Sequence, residues 1–174
     1  MYFNRFRKLE YGFDKKDFKT VTDIMSRIKV RDKIINEASL YNKYDVKSGE
    51  TPENIAFKHF GDPEFHWVIL LTNNITDRYY DWPMSEQEFE LFIKDKYSNP
   101  DSIHHYEISQ SSGDTSKKIN VGTSNVDYPT ATAITNFEHE QEQQDIKRKI
   151  RLLDPSYLDD FVEEFKLLIR ESTI

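Results

Sequence analysis

The chain has 174 residues, with 24 basic against 31 acidic side chains and a formal charge of −7. That length predicts one domain or two small ones, and the acidic balance argues against general nucleic-acid binding, which needs Lys and Arg in surplus. Cysteine is absent, which removes disulfides, thiol nucleophiles and thiolate metal sites and suits a reducing compartment.

Residues 1–20 read as an aromatic arm. Tyr2, Phe3, Phe6, Tyr11, Phe13 and Phe18 sit among Arg and Lys without a helical or strand period. No apolar stretch follows the early charges, so a secretory leader is not expected. Rings this dense are poorly solvated when free, and two readings stand: the arm folds back on its own domain, or it docks on a partner. In 21–43 the spacing of Ile24, Ile28, Val30, Ile34, Ile35 and Leu40 does not separate helix from strand, and short strands are expected.

Tyr44-Asp-Val46 alternates like a strand and ends at Ser48-Gly49. Thr51-Pro52-Glu53 then supplies an N-cap, a proline at the first helical position and an acid in the first turn. Gly61 is placed to close that helix in the left-handed region. Asp62-Pro63-Glu64 repeats the start signal for a second helix, from Phe65 to about Asn73. It is apolar nearly all round, and hence buried. Its run Trp67–Leu71 is the longest in the chain and far short of the ~20 residues that cross a bilayer. Thr76 to Trp82 reads as a strand.

Ser85-Glu86-Gln87-Glu88 is a capping box, and Phe89, Phe92, Ile93 and Tyr97 predict a third helix over 86–97. Ile103–Ile108 and Lys117–Val121 predict a projecting hairpin, and 122–136 a polar connector. Phe137 to about Ile146 is helix-compatible but has no apolar stripe, and a strand is expected over 147–153. Asp154-Pro155-Ser156 opens the clearest amphipathic helix, with Leu158, Phe161, Val162, Phe165, Leu168 and Ile169 on one face. The fold class expected is α+β.

Chemistry is sparse. His59 and His66 have no second ligand pair near them, and satisfied structural histidines are expected. His104 and His105 are neighbours in a predicted strand and should face opposite sides, and His139 lies in a charged run, so no metal site is expected. No phosphate-binding glycine loop, nucleophile elbow or isolated acid pair is present. Neither a cofactor nor catalysis is expected. Arg78, Tyr79, Tyr80 and Trp82 carry the aromatic-plus-Arg chemistry of interface anchors. With Phe3, Phe6, Tyr11 and Phe13 they form the candidate partner interface; the alternative is that these rings cap a small core.

Tyr44-Asp-Val46-Lys-Ser-Gly49-Glu50-Thr51-Pro-Glu-Asn-Ile55-Ala56 resembles the opening of a LysM domain, with Asn73 where that domain has its Asn after the second helix. Tyr44, Val46, Gly49, Thr51, Ile55, Ala56, Gly61, Trp67 and Asn73 would be its motif core. The resemblance implies a β-α-α-β unit and, for LysM domains at large, binding of peptidoglycan or chitin. Glu50 and Pro52 depart from that pattern. Gly61-Asp-Pro-Glu-Phe-His-Trp67, Val68 to Asn74, Tyr79-Tyr80-Asp-Trp82, Ala133 to Glu138 and Lys147 to Leu153 are instead similar to the small LysM-like baseplate wedge subunit of contractile-tailed phages.

That resemblance implies a non-enzymatic virion protein, assembled in the host cytoplasm, with six copies per baseplate. It would bind other wedge proteins and join neighbouring wedges around the central tail hub, with no nucleic acid or membrane as partner. A carbohydrate-binding LysM module is the alternative. The division expected is an arm with short strands over 1–43, a LysM-like domain over 44–84, and a helix, hairpin and C-terminal helical region over 85–174.

Overall fold

The elements follow from short-range signals wherever those signals are unopposed. The structure, a computed structural model, describes residues 5–12, 17–25, 28–30, 34, 37–110 and 117–171. In chain order it contains β1 (Lys8–Tyr11), β2 (Lys19–Thr22), β3 (Tyr41–Asp45), α1 (Pro52–Phe60), α2 (His66–Thr72), α3 (Arg78–Asp81) and α4 (Glu86–Lys96). There follow β4 (Ile103–Ser109), β5 (Lys118–Gly122), β6 (Thr132–Thr135), α5 (Asn136–Arg148), β7 (Lys149–Leu153) and α6 (Leu158–Glu171). The class is α+β. No helix among the described residues is long and apolar enough to cross a membrane.

The chain divides into two units: Met1–Val46, Glu50–Asp81 and Ile150–Ile174 form the first, and Lys47–Gly49 with Trp82–Lys149 form the second. In unit 1 the Thr51 hydroxyl accepts the Asn54 N–H and Pro52 fills the first helical position of α1. Gly61 ends α1 at φ 82°, and its N–H donates to Phe57 O at 3.0 Å. Asp62 and Asp154 cap the two short turns Pro63–Phe65 and Pro155–Tyr157, each accepting from the backbone N–H two residues on. Those bonds satisfy amide groups that a helix start leaves orphaned.

The core of unit 1 is built on α6. Leu158, Val162, Phe165 and Ile169 lie on its inner face and pack with Trp67 and Val68 of α2 and Leu153 of β7. The Trp67 and Phe165 rings are 4.4 Å apart between centroids. Each such side chain contributes about 1.5–3 kcal/mol by leaving water, so α6 closes the unit rather than decorating it. β1 and β2 form an antiparallel hairpin with Leu9 opposite Val21.

The segment expected as a strand over 76–82 contains α3 instead, and the strand beside β3 is β7. The reason is local. Asp77 Oδ1 accepts the Tyr79 N–H at 2.8 Å and the Tyr80 N–H at 3.3 Å, which caps a helical turn. The strand preference of two adjacent tyrosines is weaker than that cap.

In unit 2 the capping box is present: Ser85 Oγ accepts the Glu88 N–H and the Glu88 carboxylate accepts the Ser85 N–H. Its sheet has the order β5-β4-β6, antiparallel throughout. β6 lies inside the stretch expected to be a connector. A second capping box, Thr135 with Glu138, starts α5. Among the described residues, the buried hydrophobic side chains of this unit are Trp82 and Ile93, while His105, Glu107, Glu140 and Gln144 are buried beside them. A polar interior of this kind stands only if its groups are paired. Glu140 Oε1 accepts from Lys96 Nζ and Tyr97 Oη, both at 2.7 Å, and Gln144 Oε1 accepts the Met84 N–H at 3.0 Å. Thus α5, which lacks an apolar stripe, docks through a polar one.

Candidate partner interface

The α3 turn is a braced knuckle on unit 1. Asp77 caps it from the start, and Asp81 Oδ2 reaches back to accept the Thr76 N–H at 3.1 Å and the Asp77 N–H at 3.0 Å. Arg78 grips Glu53 of α1 in a two-pronged pair, Nη1 to Oε1 at 2.7 Å and Nη2 to Oε2 at 3.0 Å. Burial alone would raise the Glu53 carboxyl, but its own N–H, the Thr51 hydroxyl, Arg78 and His66 together hold it below the usual carboxylate range. On this braced turn Tyr79 is 88% exposed and Tyr80 74% exposed. Large rings presented on a fixed backbone lose little conformational freedom when covered, which is what an interface anchor requires.

Other members of the expected interface fall elsewhere. Trp82 is only 8% exposed; its indole is spent in the interior and is not a surface anchor. Phe6 is half-buried and meets Phe165 edge-on at 6.3 Å, so this part of the arm folds back on unit 1. Tyr11, in β1, is 56% exposed. Phe3 and Phe13 lie outside the described residues. Unit 1 also holds an apolar groove of about 530 Å³, lined by Ile28, Leu40, Leu71, Phe161 and Leu168 among others, whose residues come from segments far apart in the chain.

The motif residues have structural duties. Tyr44 Oη donates to Glu50 Oε2 at 2.9 Å, and Lys58 Nζ pairs with Glu50 Oε1 at 2.5 Å. Burial first, and then the Glu50 carboxylate, raise the Tyr44 phenol above its ordinary value. Val46, Ile55, Ala56 and Trp67 are buried, Gly49 takes φ 77° in the turn after β3, and Thr51 and Gly61 bracket α1. Asn73 does the most. Its Nδ2 donates to Arg151 O at 2.7 Å and to Ile69 O at 2.8 Å, while its Oδ1 accepts the Arg151 N–H at 2.8 Å. One side-chain amide therefore satisfies both backbone groups of a β7 residue, as a neighbouring strand would.

The histidines divide into two kinds. His59 Nε2 bonds Leu153 O at 2.8 Å and His66 Nδ1 bonds Pro63 O at 3.0 Å, which are structural duties. The other three meet in unit 2, against expectation. His104 Nδ1 and His105 Nδ1 are 2.8 Å apart, and His139 stacks on His104 at 4.0 Å. The β4–β6 register shifts between Ile103 and His105, which breaks the alternation that would have sent neighbouring rings to opposite faces. His139 is half-buried rather than part of a solvated run. Burial first, and then His139 and His105, hold His104 below the ordinary imidazole value.

A family model described as base plate wedge protein 53 matches residues 1–113. The chain belongs to that family. The baseplate wedge protein gp53 of Enterobacteria phage T4 is 34% identical over 56 residues, which is 32% of this chain and 29% of that protein. The alignment thus spans less than a third of the relative. The family match takes in α1, α2, the α3 knuckle, α4 and β4, and stops before β5.

Proposed function

We propose that this chain is a structural subunit of the baseplate wedge in a contractile-tailed phage, non-enzymatic and acting through protein contacts. The observation that carries the reading is the wedge protein 53 match over residues 1–113. In this reading it sits in the virion tail baseplate after assembly in the host cytoplasm. It binds other wedge proteins and joins neighbouring wedges around the hub, with six copies per baseplate. The braced knuckle with Tyr79 and Tyr80 is the favoured contact surface, supported by its exposure and its fixed backbone. The β3–α1–α2 segment is a LysM-like unit whose second strand, β7, is supplied from the C-terminal side of the chain. The bond of Asn73 to Arg151, 78 positions away, supports that arrangement.

Co-expression with the remaining wedge proteins of the encoding phage tests the reading. The chain is expected to co-elute with them in size-exclusion chromatography. The double variant Tyr79→Ser, Tyr80→Ser is expected to bind at least about tenfold more weakly, the loss of one anchor of roughly 1.4 kcal/mol, with unchanged thermal unfolding. A chain that elutes alone in every combination refutes the role. Unchanged binding by the double variant refutes the surface.

A further inference from the structure

Unit 2 combines a scant buried apolar set with a cluster of three imidazoles, and the two features explain each other. We propose that His104, His105 and His139 form a binding site for one divalent transition-metal ion of the zinc class, which staples strand β4 to helix α5. The proposal is independent of the baseplate role.

The donor chemistry comes first. Each ring offers one nitrogen, and the three nitrogens lie within 4.8 Å of one another. Nitrogen ligands on a tetrahedral ion, at about 2.0–2.1 Å from it, stand about 3.3 Å apart. The His104–His105 separation of 2.8 Å already lies inside that spacing. His139 closes the rest by turning off its stack with His104, and both rings are half-buried rather than sealed in the interior. Imidazole nitrogen with no thiolate available favours Zn²⁺, Ni²⁺ or Cu²⁺ over Mg²⁺ or Ca²⁺, which take oxygen.

A supporting carboxylate is already in place. Glu107 Oε1 lies 2.9 Å from His105 Nε2, and Lys118 Nζ sits 3.3 Å from the other carboxylate oxygen. An ionised carboxylate only accepts, so the His105 Nε2 carries the proton and, in the neutral ring, Nδ1 carries the lone pair. Glu107 thereby fixes the tautomer and aims the lone pair into the cluster, the carboxylate–histidine arrangement that backs metal ligands. Without an ion, His104 Nδ1–H donates to that lone pair. On binding, the ion takes the place of this bridging proton and His104 carries its ring proton on Nε2 instead, so each ring stays neutral.

The ion's position explains its use. His104 and His105 stand on the central strand of the β5-β4-β6 sheet, and His139 stands in the first turns of α5. A bond through one ion joins the sheet to a helix that otherwise docks by the Glu140 and Gln144 contacts and one edge-on ring pair, Phe137 with Phe89. Small units with thin apolar cores gain most from such a staple.

The untagged full-length chain, stripped of metal by chelator and dialysis, is titrated with Zn²⁺ against a competing fluorescent chelator, and with Co²⁺ by visible absorption. One equivalent of Zn²⁺ is expected, with Kd near or below about 1 μM, together with a rise in the unfolding temperature by linkage. Co²⁺ should give tetrahedral ligand-field bands without thiolate charge transfer. His139→Asn and His104→Asn are expected to abolish stoichiometric uptake, Glu107→Gln to weaken it about 10–100-fold, and the control His66→Asn to bind normally. Substoichiometric uptake by the parent chain overturns the proposal, and so does binding that survives in folded His139→Asn. The parent titration and the Co²⁺ spectrum decide the matter even where a variant does not fold.

Discussion

Replacing Asn73 by Ala tests whether one side chain holds α2 to β7. The amide makes three hydrogen bonds, to Ile69 O and to both backbone groups of Arg151. Ile69 O is not stranded by the change, because it also accepts the Asn73 N–H and the Thr72 hydroxyl, each at 3.2 Å. The cost therefore falls on Arg151. Two bonds at about 1 kcal/mol each give about 2 kcal/mol, rising toward about 4 if water cannot reach the exposed pair. For a chain of this size that is a fall of roughly 4–8 °C or more in unfolding temperature. Asn73→Asp keeps the acceptor but sets a carboxylate oxygen against the Arg151 and Ile69 carbonyls, and should cost at least as much at neutral pH. Urea unfolding followed by circular dichroism measures the loss, and hydrogen exchange at the Arg151 amide locates it. A loss below about 0.5 kcal/mol, or an Arg151 amide that stays protected in the Ala variant, would show that β7 is held by other means.

Glu53→Gln removes the charge and one of the two oxygens that accept from Arg78, and should cost less than about 1 kcal/mol at neutral pH, because both side chains remain partly open to solvent. Glu53 is held below its unfolded value, so its contribution is present above about pH 4.3 and is lost as pH falls through the folded value. The gap between parent and variant should accordingly close in acid; a gap that widens below pH 4 would contradict the assigned sign. Gly61→Ala meets no atom within 4 Å of the new Cβ, so its cost is conformational alone, roughly 1–2 kcal/mol at a left-handed position. Gly61→Asn should cost visibly less, and equal losses for the two in urea unfolding would argue against a backbone origin.

What could be read from the sequence was what depends on near neighbours. Thr51-Pro52, Asp62-Pro63, Asp154-Pro155 and Ser85 with Glu88 each carry their cap within a few residues, and each appears as expected. The same grammar stands at Thr135-Asn-Phe-Glu138, but the helix it opens is polar and has no apolar stripe to mark the box as a helix start. At 76–82 two local signals competed: the tyrosines argued for a strand, while Asp77 and Asp81 argued for a turn, and the hydrogen bonds went to the turn. Pairing of β3 with β7 is non-local, and no short window contains it. The histidine cluster depends on a register shift that alternation arguments exclude by construction. Of the expected interface, only exposure separates Tyr79 and Tyr80 from Trp82, and neighbouring aromatics carry no mark of which one turns inward.

The threading of unit 1 sets an order on how the polypeptide matures at the ribosome. Its earlier stretches emerge first, but Phe165 and Ile169, which cover Trp67 and Val68, leave the exit tunnel only after the whole of unit 2. All of unit 2 is synthesised before them and is free to fold while its neighbour still waits for a lid. A nascent chain released prematurely thus keeps a sticky, open half, and only one translated through α6 has a finished first unit to offer.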